Sequence, residues 1–359
     1  MERPTSSVRP RTKPGSQIPE AMKSRSLGEL SCSRSGPEGT GVGTVRFSYF
    51  FIAPSPYIRE HDIPGGLAPA AQLPPGRRPK FVRSGVAGQA GINPPGRRDM
   101  VERGDRPVER SDLALVDALG LGSVPGIISI VGGGGKSSLL FALGKLLPGR
   151  TVLTTTTRIF ASQTRLASAV CSLDDENWER VLSQGVGSVL VVGHMDERHA
   201  MGVPLDLPSR ILARPDVDWV IVEADGSRRL PVKAPAQHEP VIPTETGTLV
   251  TVAGLDALGA PIAEVAHRPE RVSAVTGLPQ EATLTPESLG QLLASSRGGG
   301  KSAPPGARRM ILVNKVESAG ELGLAAQVAL SALAEDSVER VVVGALRGDP
   351  SSGWRAWLR

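Results

Sequence analysis

The stretch IISIVGGGGKSS, residues 127–138, decides the fold of this 359-residue chain. Its first five residues form a short apolar run, which predicts a buried strand. The four glycines that follow allow a tight turn whose backbone N–H groups point inward. Leucines then recur at helical spacing, at Leu139, Leu140, Leu143, Leu146 and Leu147. A strand, a glycine loop and a helix in this order predict a phosphate cradle at a helix N-terminus.

The glycine loop also predicts which residues hold a nucleotide. The expected phosphate-binding residues are Gly132, Gly133, Gly134, Gly135, Lys136, Ser137 and Ser138. Lys136 can reach a β- or γ-phosphate, and Ser137 can bind the Mg²⁺ that accompanies it. The loop is shorter than the standard pattern, because Ile130 stands where that pattern has its first glycine. The alternative is a glycine-rich turn with a chance lysine, and the flanking strand and helix argue against it.

Two acids follow another apolar run, in the stretch DWVIVEADGSRR, residues 218–229. Acids at the end of a core strand in a phosphate-loop protein hold Mg²⁺ or its water. Glu223 and Asp225 are therefore predicted as metal ligands and catalytic residues, with Glu223 favoured because it comes first after the strand. A solvated turn is the alternative. Arg228 and Arg229 either contact phosphate or face water.

Three further groups of polar residues come at or after predicted strand ends. Thr155 and Thr156, in the stretch VLTTTTRIF, either bind Mg²⁺ or a γ-phosphate, or simply favour a strand. His238 and Glu239, in a proline-rich loop, suit acid–base catalysis or substrate binding, although a lone histidine is more often structural or exposed.

The third group is Asn314, Lys315 and Glu317. GTPases have the sequence N-K-x-D at this place, where the acid pairs with guanine. Glu317 is one methylene longer than aspartate, so the guanine preference is weakened and the choice between ATP and GTP stays open. A polar strand end that enters a helix is the alternative.

Seven apolar runs separated by helical stretches predict the fold class. They cover residues 126–131, 151–155, 188–192, 219–222, 248–252, 310–313 and 340–343. These runs barely alternate between apolar and polar residues, as expected for strands covered on both faces. Leu113, Leu115, Val116 and Leu119 add a short leading helix. The pattern predicts an α/β protein with a doubly wound, mainly parallel sheet of P-loop NTPase type, whose ligands bind at the carboxyl ends of the strands.

Composition separates residues 1–110 from residues 111–359. The first segment has 15 of the 31 prolines, and its 18 basic and 10 acidic residues give a net charge of +8. The remainder has a net charge of −3 within the total of +5, so it shows no electrostatic footprint for nucleic acid. Residues 1–110 are predicted to be a disordered tail, and 111–359 to be the nucleotide-binding domain.

Two features of the tail leave alternatives open. The patch VRFSYFFIAPSPY, residues 45–57, is either a sticky segment or a partner-binding strand. A gene start set too far upstream is equally compatible, with Met100 as the true start.

The chain has two cysteines without metal-ligand spacing and no apolar run long enough for a membrane span. We therefore expect a cytoplasmic protein that binds neither membrane nor nucleic acid.

These motifs together resemble one family, the selenium-dependent hydroxylase accessory proteins (YqeC-like). The matching stretches are VGGGGKSS, VLTTTTRIF, VIVEADGSRRLPVKAPAQHEPVIP, TVAGLDALG, HRPERVSAVTG, ARRMILVNKVES and VVVGALR. The resemblance implies a P-loop NTPase-like protein that helps to mature selenium-dependent molybdenum hydroxylases, with a hydroxylase or a cofactor-maturation protein as its partner. Ser137 departs from the threonine usual in that family, and either hydroxyl can bind Mg²⁺.

Three functions are compatible with the sequence. The first is an NTPase accessory factor whose loops respond to the γ-phosphate. The second is a small-molecule kinase that uses His238 or Glu239 to activate an acceptor. The third is a module that holds a nucleotide or a phosphorylated cofactor, such as a pterin, without turnover. The expected cofactors are Mg²⁺ and ATP or GTP.

Overall fold

The computed structural model describes residues 107–359. The predictions for the tail, for residues 45–57 and for a start at Met100 lie outside the described residues. The first strand, Val108–Leu113, spans the predicted boundary between residues 110 and 111. None of the helices in the described part is long and apolar enough to cross a membrane.

The described residues form fourteen strands, nine α-helices and a short 3₁₀ turn at Leu255–Ala257. The strands are β1 (Val108–Leu113), β2 (Gly126–Gly132), β3 (Thr151–Thr155), β4 (Ile159–Phe160), β5 (Ala169–Ser172), β6 (Val189–Val192), β7 (His199–Ala200), β8 (Trp219–Glu223), β9 (Val232–Lys233), β10 (Thr246–Gly254), β11 (Ala266–His267), β12 (Arg308–Asn314), β13 (Arg340–Val343) and β14 (Trp354–Leu358). The helices are α1 (Leu115–Ala118), α2 (Lys136–Leu146), α3 (Ala161–Thr164), α4 (Trp178–Gln184), α5 (Leu207–Leu212), α6 (Ile262–Val265), α7 (Pro269–Thr276), α8 (Pro286–Ala294) and α9 (Ala319–Ala332).

Ten of the strands form one mixed sheet in the order β1-β14-β13-β12-β10-β2-β8-β3-β6-β5. The eight strands from β13 to β5 are parallel, whereas β14 runs antiparallel to both β13 and β1. All seven apolar runs of the sequence lie in the parallel part. The predicted α/β class with a mainly parallel sheet is therefore confirmed.

Three strands of the sheet were not predicted, namely β1, β5 and β14. The residues of β1 are almost all exposed, so no apolar pattern marks them. This strand forms because its backbone pairs with β14, from Val108 opposite Leu358 to Leu113 opposite Trp354. The predicted leading helix is correspondingly shorter, since Leu113 belongs to β1 and α1 begins at Leu115.

Hydrophobic clusters lie on both faces of the sheet. In β2, Ile128 and Ile130 pack in one cluster with the leucines of α2, and Ile127 and Val131 pack in another with α5. A third cluster joins α8 and α9 to the strands β12 and β13. Burial on both faces explains why these strands have continuous apolar runs instead of an alternating pattern.

The sheet also determines where the glycine loop lies. It follows β2, which is placed between β10 and β8 near the middle of the sheet. In the parallel register, Ile130 of β2 is opposite Glu223 of β8, and Glu223 is opposite Thr155 of β3. Parallel strands end at the same edge, so the loops that follow them meet there.

Candidate functional site

A cleft of about 940 Å³ opens at the carboxyl edge of the sheet. Its walls are the loops that follow β2, β3, β8, β10, β12 and β13. Eight of the predicted site residues line it, namely Gly134, Gly135, Lys136, Ser137, Ser138, Glu223, Asn314 and Lys315. Its volume is at the upper end of the range of ~300–1,000 Å³ usual for small-molecule sites.

The glycine loop is packed so tightly that side chains are excluded from it. Gly134 has φ +67°, and a Cβ atom there would lie 2.1 Å from the backbone nitrogen of Gly254. Gly135 has φ +147°, and a Cβ atom there would lie 2.4 Å from Nδ2 of Asn314. Both the backbone angles and the lack of space therefore require glycine at these two positions.

The glycine amides do not all point into the cleft, in contrast to the prediction. The Gly132 N–H donates to Oδ2 of Asp225 at 3.1 Å. The N–H groups of Gly133 and Gly134 donate to the carbonyls of Val252 and Leu230, at 2.8 Å and 3.1 Å. Because the loop is short and pressed against neighbouring loops, its first three amides bind protein acceptors and are engaged before any ligand arrives.

The amides at the start of α2 are better placed for an anion. The first N–H groups of an α-helix have no acceptor within the helix. At the N-terminus of α2 these belong to Lys136, Ser137 and Ser138, and all three residues line the cleft with Gly135. The helix dipole adds partial positive charge at the same point. The anion-binding part of the loop is therefore residues 135–138, not the whole run of glycines.

Lys136 is buried at the floor of the cleft, with 4% of its side chain exposed. Its ammonium donates to the carbonyl of Gly132 at 2.9 Å and to the hydroxyl of Ser227 at 3.2 Å. It lies 3.8 Å from Glu223 and 3.4 Å from Asp225. Both acids thus lie beside the lysine at the carboxyl edge of the sheet, as predicted from their position at the end of a strand.

Ser137 and Glu223 form the direct link between α2 and β8. The Ser137 hydroxyl donates to Oε2 of Glu223 at 2.8 Å. Gln163 of α3 donates in turn to the Ser137 oxygen at 2.6 Å and accepts from the Phe160 N–H at 2.9 Å. Burial raises the pKa of Glu223 above its ordinary value, and neighbouring Asp225 adds to this, while Lys136 and Ser137 act in the opposite direction.

Asp225 has a different environment from Glu223, although the sequence treated them alike. It is 2% exposed and is not among the residues that line the cleft. Its Oδ2 atom lies 3.1 Å from the Lys233 ammonium as well as from the Gly132 N–H. Asp225 therefore contacts Lys136, Lys233 and the glycine loop on the side of the loop that faces away from the cleft. Of the two acids, only Glu223 is in position to reach a metal in the cleft.

A chain of ion pairs that alternate in sign lies behind the cleft. It consists of Glu223, Lys136, Asp225, Lys233, Glu239 and Arg268. The Glu239 carboxylate is 2.9 Å from the Lys233 ammonium, and Arg268 donates to its other oxygen at 2.8 Å. Burial raises the pKa of Glu239, but its bonds to Lys233, Ala236 and Arg268 outweigh this and lower it to about 2.

His238 lies outside the cleft, so the prediction that it is a catalytic residue of this site was wrong. Its side chain is exposed, and it is absent from the lining residues. The turn closes with a bond from the Glu239 N–H to the Ala236 carbonyl, and the Glu239 side chain turns inward to Lys233. The histidine nearer the site is His267, whose Nδ1 atom is 3.1 Å from the carbonyl of Gly226.

Thr155 and Thr156 do not reach the cleft either. The Thr155 hydroxyl donates to the carbonyls of Glu223 and Thr157, at 3.0 Å and 2.8 Å. The Thr156 hydroxyl donates to the Val241 carbonyl at 2.6 Å. These hydroxyls satisfy backbone acceptors where the ends of β3 and β8 meet. They hold the carboxyl edge in shape, and we no longer assign them to phosphate or Mg²⁺.

Asn314 ties two walls of the cleft to each other. Its Nδ2 atom donates to the Gly134 carbonyl at 2.8 Å, and its Oδ1 atom accepts from the Leu346 N–H at 2.9 Å. Both the nitrogen and the oxygen of its amide thus bind the backbone. Lys315 pairs with Asp256 across the cleft mouth, and Glu317 is exposed on the same side.

The cleft offers oxygen donors of the kind that Mg²⁺ binds. Mg²⁺ prefers oxygen ligands and is often held by one or two carboxylates together with substrate phosphates and waters. The adjacent oxygens of Ser137 and Glu223 fit that donor set. The described residues contain no group of three or more His, Cys, Asp or Glu side chains that could hold a metal by themselves. The site fits a metal that arrives with a phosphate ligand.

Three residues of the site were missed by the sequence analysis: Gln163, Ser227 and Lys233. Gln163 reaches Ser137 from α3, and Ser227 reaches Lys136 from the loop after β8. Lys233 is 3% exposed, a degree of burial that requires partners for a lysine. Its position in an otherwise apolar stretch, LPVKAPA, is the one signal that could have indicated it.

The fold and the site define the class: an α/β protein whose central glycine loop enters a helix beside a strand-end glutamate. A family model described as YqeC protein matches residues 128–270. The uncharacterized protein YqeC of Escherichia coli (strain K12) is 32% identical over 242 residues, which are 66% of this chain and 94% of that protein. The chain belongs to the YqeC family. The matched residues 128–270 include the glycine loop and the ion-pair chain.

Proposed function

We propose that this protein binds a nucleoside triphosphate with Mg²⁺ in the cleft and hydrolyses it as an accessory factor of P-loop NTPase type. The observation that carries the proposal is the 2.8 Å hydrogen bond from Ser137 to Glu223, next to the Lys136 ammonium. A hydroxyl on the first turn of a helix, a strand-end acid and a lysine are the groups that phosphate-loop proteins use for a metal-bound triphosphate.

Each of these groups has a distinct task in the proposed site. The amides of residues 135–138 and the dipole of α2 hold the phosphates. When a nucleotide binds, the Lys136 ammonium would leave the Gly132 carbonyl and contact the terminal phosphates, because its attraction to their negative charge is stronger. Mg²⁺, when bound, neutralises phosphate charge, and Ser137 and Glu223 hold it or its waters. Asp225 stays behind the loop and keeps Gly132 in place.

The base would lie on the side of the cleft formed by the loops after β10, β12 and β13. Leu258, Leu346 and Lys315 line this side. Glu317 is the residue that corresponds to the guanine-binding acid of N-K-x-D, and it lines the cleft too. Its longer side chain leaves both ATP and GTP as candidates.

The proposed biological role rests on family membership. The sequence resemblance implies help in maturing selenium-dependent molybdenum hydroxylases. The chain contains no selenocysteine, so in this role it acts on a partner protein or a cofactor precursor. In this role, nucleotide binding would change the conformation of the loops around the cleft, and the partner would recognise these loops.

The kinase alternative loses its proposed base. Glu239 has a pKa of about 2 and is fully engaged with Lys233, Arg268 and the Ala236 N–H. A group this acidic is a poor proton acceptor. His238 is exposed and does not line the cleft. A protein that binds nucleotide without turnover would have the same site geometry, and measurement of phosphate release distinguishes it from an NTPase.

Calorimetry with ATP and GTP, each with and without Mg²⁺, tests the proposal, followed by measurement of phosphate release. Ser137→Ala should lose Mg²⁺-dependent affinity, whereas Ser137→Thr keeps the hydroxyl and should retain it. Binding with slow phosphate release supports an NTPase, and binding alone supports the non-hydrolysing module. If the unmodified protein binds neither nucleotide, the proposal is wrong.

A further inference from the structure

The end of the cleft opposite the proposed base-binding side is lined by arginines. The loops after β3 and β8 contribute Arg158, Arg228 and Arg229 to its lining. These loops lie on the opposite side of the glycine loop from β12 and β13, because β2 separates them in the sheet. With the base on the β12 side, as in the proposed function, the arginines lie beyond the terminal phosphate.

The three arginines have no acidic partners in the part of the chain that the structure describes. All three are exposed, and no ion pair or side-chain hydrogen bond within residues 107–359 involves their guanidinium groups. By contrast, Arg268, which lies behind the same cleft, pairs with Glu239 at 2.8 Å. The positive charge of this end is therefore available to a ligand. We call Arg158, Arg228 and Arg229 the arginine end.

The backbone at the arginine end contradicts local preference. Residues 227–230 form a turn closed by a 3.0 Å bond from the Leu230 N–H to the Ser227 carbonyl. Its two central residues, Arg228 and Arg229, have φ +51° and +66°. Positive φ at both central positions is the signature of a type I′ turn, which strongly favours Asn-Gly or Gly-Gly. Two arginines here are unfavourable for the backbone, and residues in strained conformations cluster at functional sites.

The Arg229 side chain is also oriented. Its guanidinium lies over the ring of Phe160, with 4.8 Å from Cζ to the ring centroid. Phe160 packs in turn near His199, with 5.9 Å between the ring centroids. A guanidinium placed over an aromatic ring is already partly oriented, so it loses less entropy when its N–H groups bind an oxyanion. The geometry therefore favours a planar, two-pronged contact with phosphate or carboxylate.

We propose that the arginine end is a second binding site, which takes an oxyanion-bearing small molecule next to the terminal phosphate of the nucleotide. The position relative to the phosphate rests on the proposed function, whereas the site itself rests on the three unpaired arginines and their turn. The ligand would be a phosphorylated or carboxylated co-substrate or effector.

The test is a thermal-shift titration of protein saturated with Mg²⁺ and a non-hydrolysable triphosphate analogue. Inorganic phosphate and succinate are added separately, with chloride at matched ionic strength as the blank, because bound ligands stabilise the folded state by mass action. We expect a saturable rise in Tm. The rise should be larger with phosphate if the natural ligand is phosphorylated, and larger with succinate if it is a carboxylate. The exchange Arg228→Asn with Arg229→Gly should weaken this anion binding at least tenfold.

That double variant separates binding from folding. Asn-Gly is the preferred pair for a type I′ turn, so its Tm without added anion should equal or exceed that of the unmodified protein. Arg180→Ala, which removes one exposed arginine on α4, is the control for charge alone and should bind the anion normally. Retention of anion binding in the double variant, or no saturable rise in the unmodified protein, would overturn the proposal.

Two further outcomes separate the second site from the nucleotide site. If the arginines only bind the triphosphate, the double variant will lose affinity for the analogue more than tenfold, and the second site is then wrong. If the analogue does not bind at all, the proposed function fails, but the anion titration can still be read. In Lys136→Ala protein without nucleotide, the arginine end should bind the anion as before, and its failure to do so would count against it.

Discussion

The Ser137 hydroxyl donates a 2.8 Å hydrogen bond to the Glu223 carboxylate, joining the first turn of α2 to the end of β8. These residues are 86 positions apart in the chain, and the parallel pairing of β2 with β8 brings them together. The bond places a hydroxyl and a buried acid side by side at the mouth of the glycine loop.

Lys136→Ala should weaken nucleotide affinity by roughly 10- to 100-fold, since a charge-assisted bond to phosphate worth ~1.5–3 kcal/mol is lost. Calorimetry with the nucleotide that binds the unmodified protein measures the change. Lys145→Ala, at an exposed position of the same helix, is the matched control. Equal affinities for the two variants would show that the Lys136 ammonium does not contact the ligand.

Glu223→Gln should reduce Mg²⁺-dependent phosphate release at least tenfold while changing nucleotide affinity only about threefold or less. Glutamine keeps the size of the side chain but removes the charge that a metal or its water needs. Burial raises the pKa of Glu223 in the metal-free protein, so protons should compete with Mg²⁺ for this carboxylate at a higher pH than they would at an ordinary glutamate. A pH profile identical in the two proteins would contradict this assignment.

Asp225→Asn should act on stability before it acts on metal dependence. Asp225 is buried between Lys136 and Lys233, and breaking a buried ion pair costs about 3–5 kcal/mol. We expect a lower free energy of unfolding in denaturant titrations, with the Mg²⁺ concentration for half-maximal turnover unchanged. A shift in that Mg²⁺ concentration with normal stability would make Asp225 the metal ligand instead of Glu223.

Asn314→Ala should destabilise the fold by about 1–3 kcal/mol, because the Gly134 carbonyl and the Leu346 N–H lose their partner. It should weaken ATP and GTP binding equally, since the Asn314 amide holds backbone groups and does not touch the base. Asn177→Ala, at an exposed position, is the control. A change in the ratio of ATP to GTP affinity would mean that Asn314 recognises the base.

Glu239→Gln should lower stability at neutral pH by about 3 kcal/mol at most, from a folded pKa near 2 against an ordinary value of 4.5. A lowered pKa contributes stability above the unfolded value, and this stability is lost as the pH falls from about 4.5 toward 2. The unfolding free energies of the variant and the unmodified protein should therefore converge over that range. Glu264→Gln, at an exposed position of α6, should show no comparable difference at neutral pH.

A chain that begins at Met100 should melt at the same temperature and bind nucleotide as the full chain does. The reasons are the proline-rich, basic sequence before this point and the start of β1 at Val108. Differential scanning calorimetry of the two chains makes the comparison. A loss of cooperative unfolding in the shorter chain would show that the first 99 residues belong to the folded unit.

The elements that the sequence predicted well are those with a local cause. The runs that became β2, β3, β6, β8, β10, β12 and β13 are apolar over their whole length because both faces of the sheet are covered. The crowded space around Gly134 and Gly135 likewise leaves a direct mark, since no other residue type fits there. The placement of Glu223 beside Lys136 followed from one topological rule about strand ends.

What the sequence could not decide depends on hydrogen bonds between distant segments. Glu223 and Asp225 look equivalent in the stretch VEADG, but Lys233 and the Gly132 N–H hold Asp225 behind the loop, while Ser137 holds Glu223 in the cleft. The hydroxyls of Thr155 and Thr156 were expected to face phosphate, but backbone carbonyls take them first.

By itself, then, the sequence determined the α/β fold with its mainly parallel sheet and the position of a glycine loop at a strand–helix junction. Periodic burial and the steric demands of glycine act over a few residues, so a linear pattern records them. Only the tertiary structure decided that His238 faces outward, that Gln163 meets Ser137, and that the arginine end opens beyond Lys136. Each of these depends on which loops the sheet order brings side by side, and polar groups there pair with whatever acceptor the neighbouring loop presents.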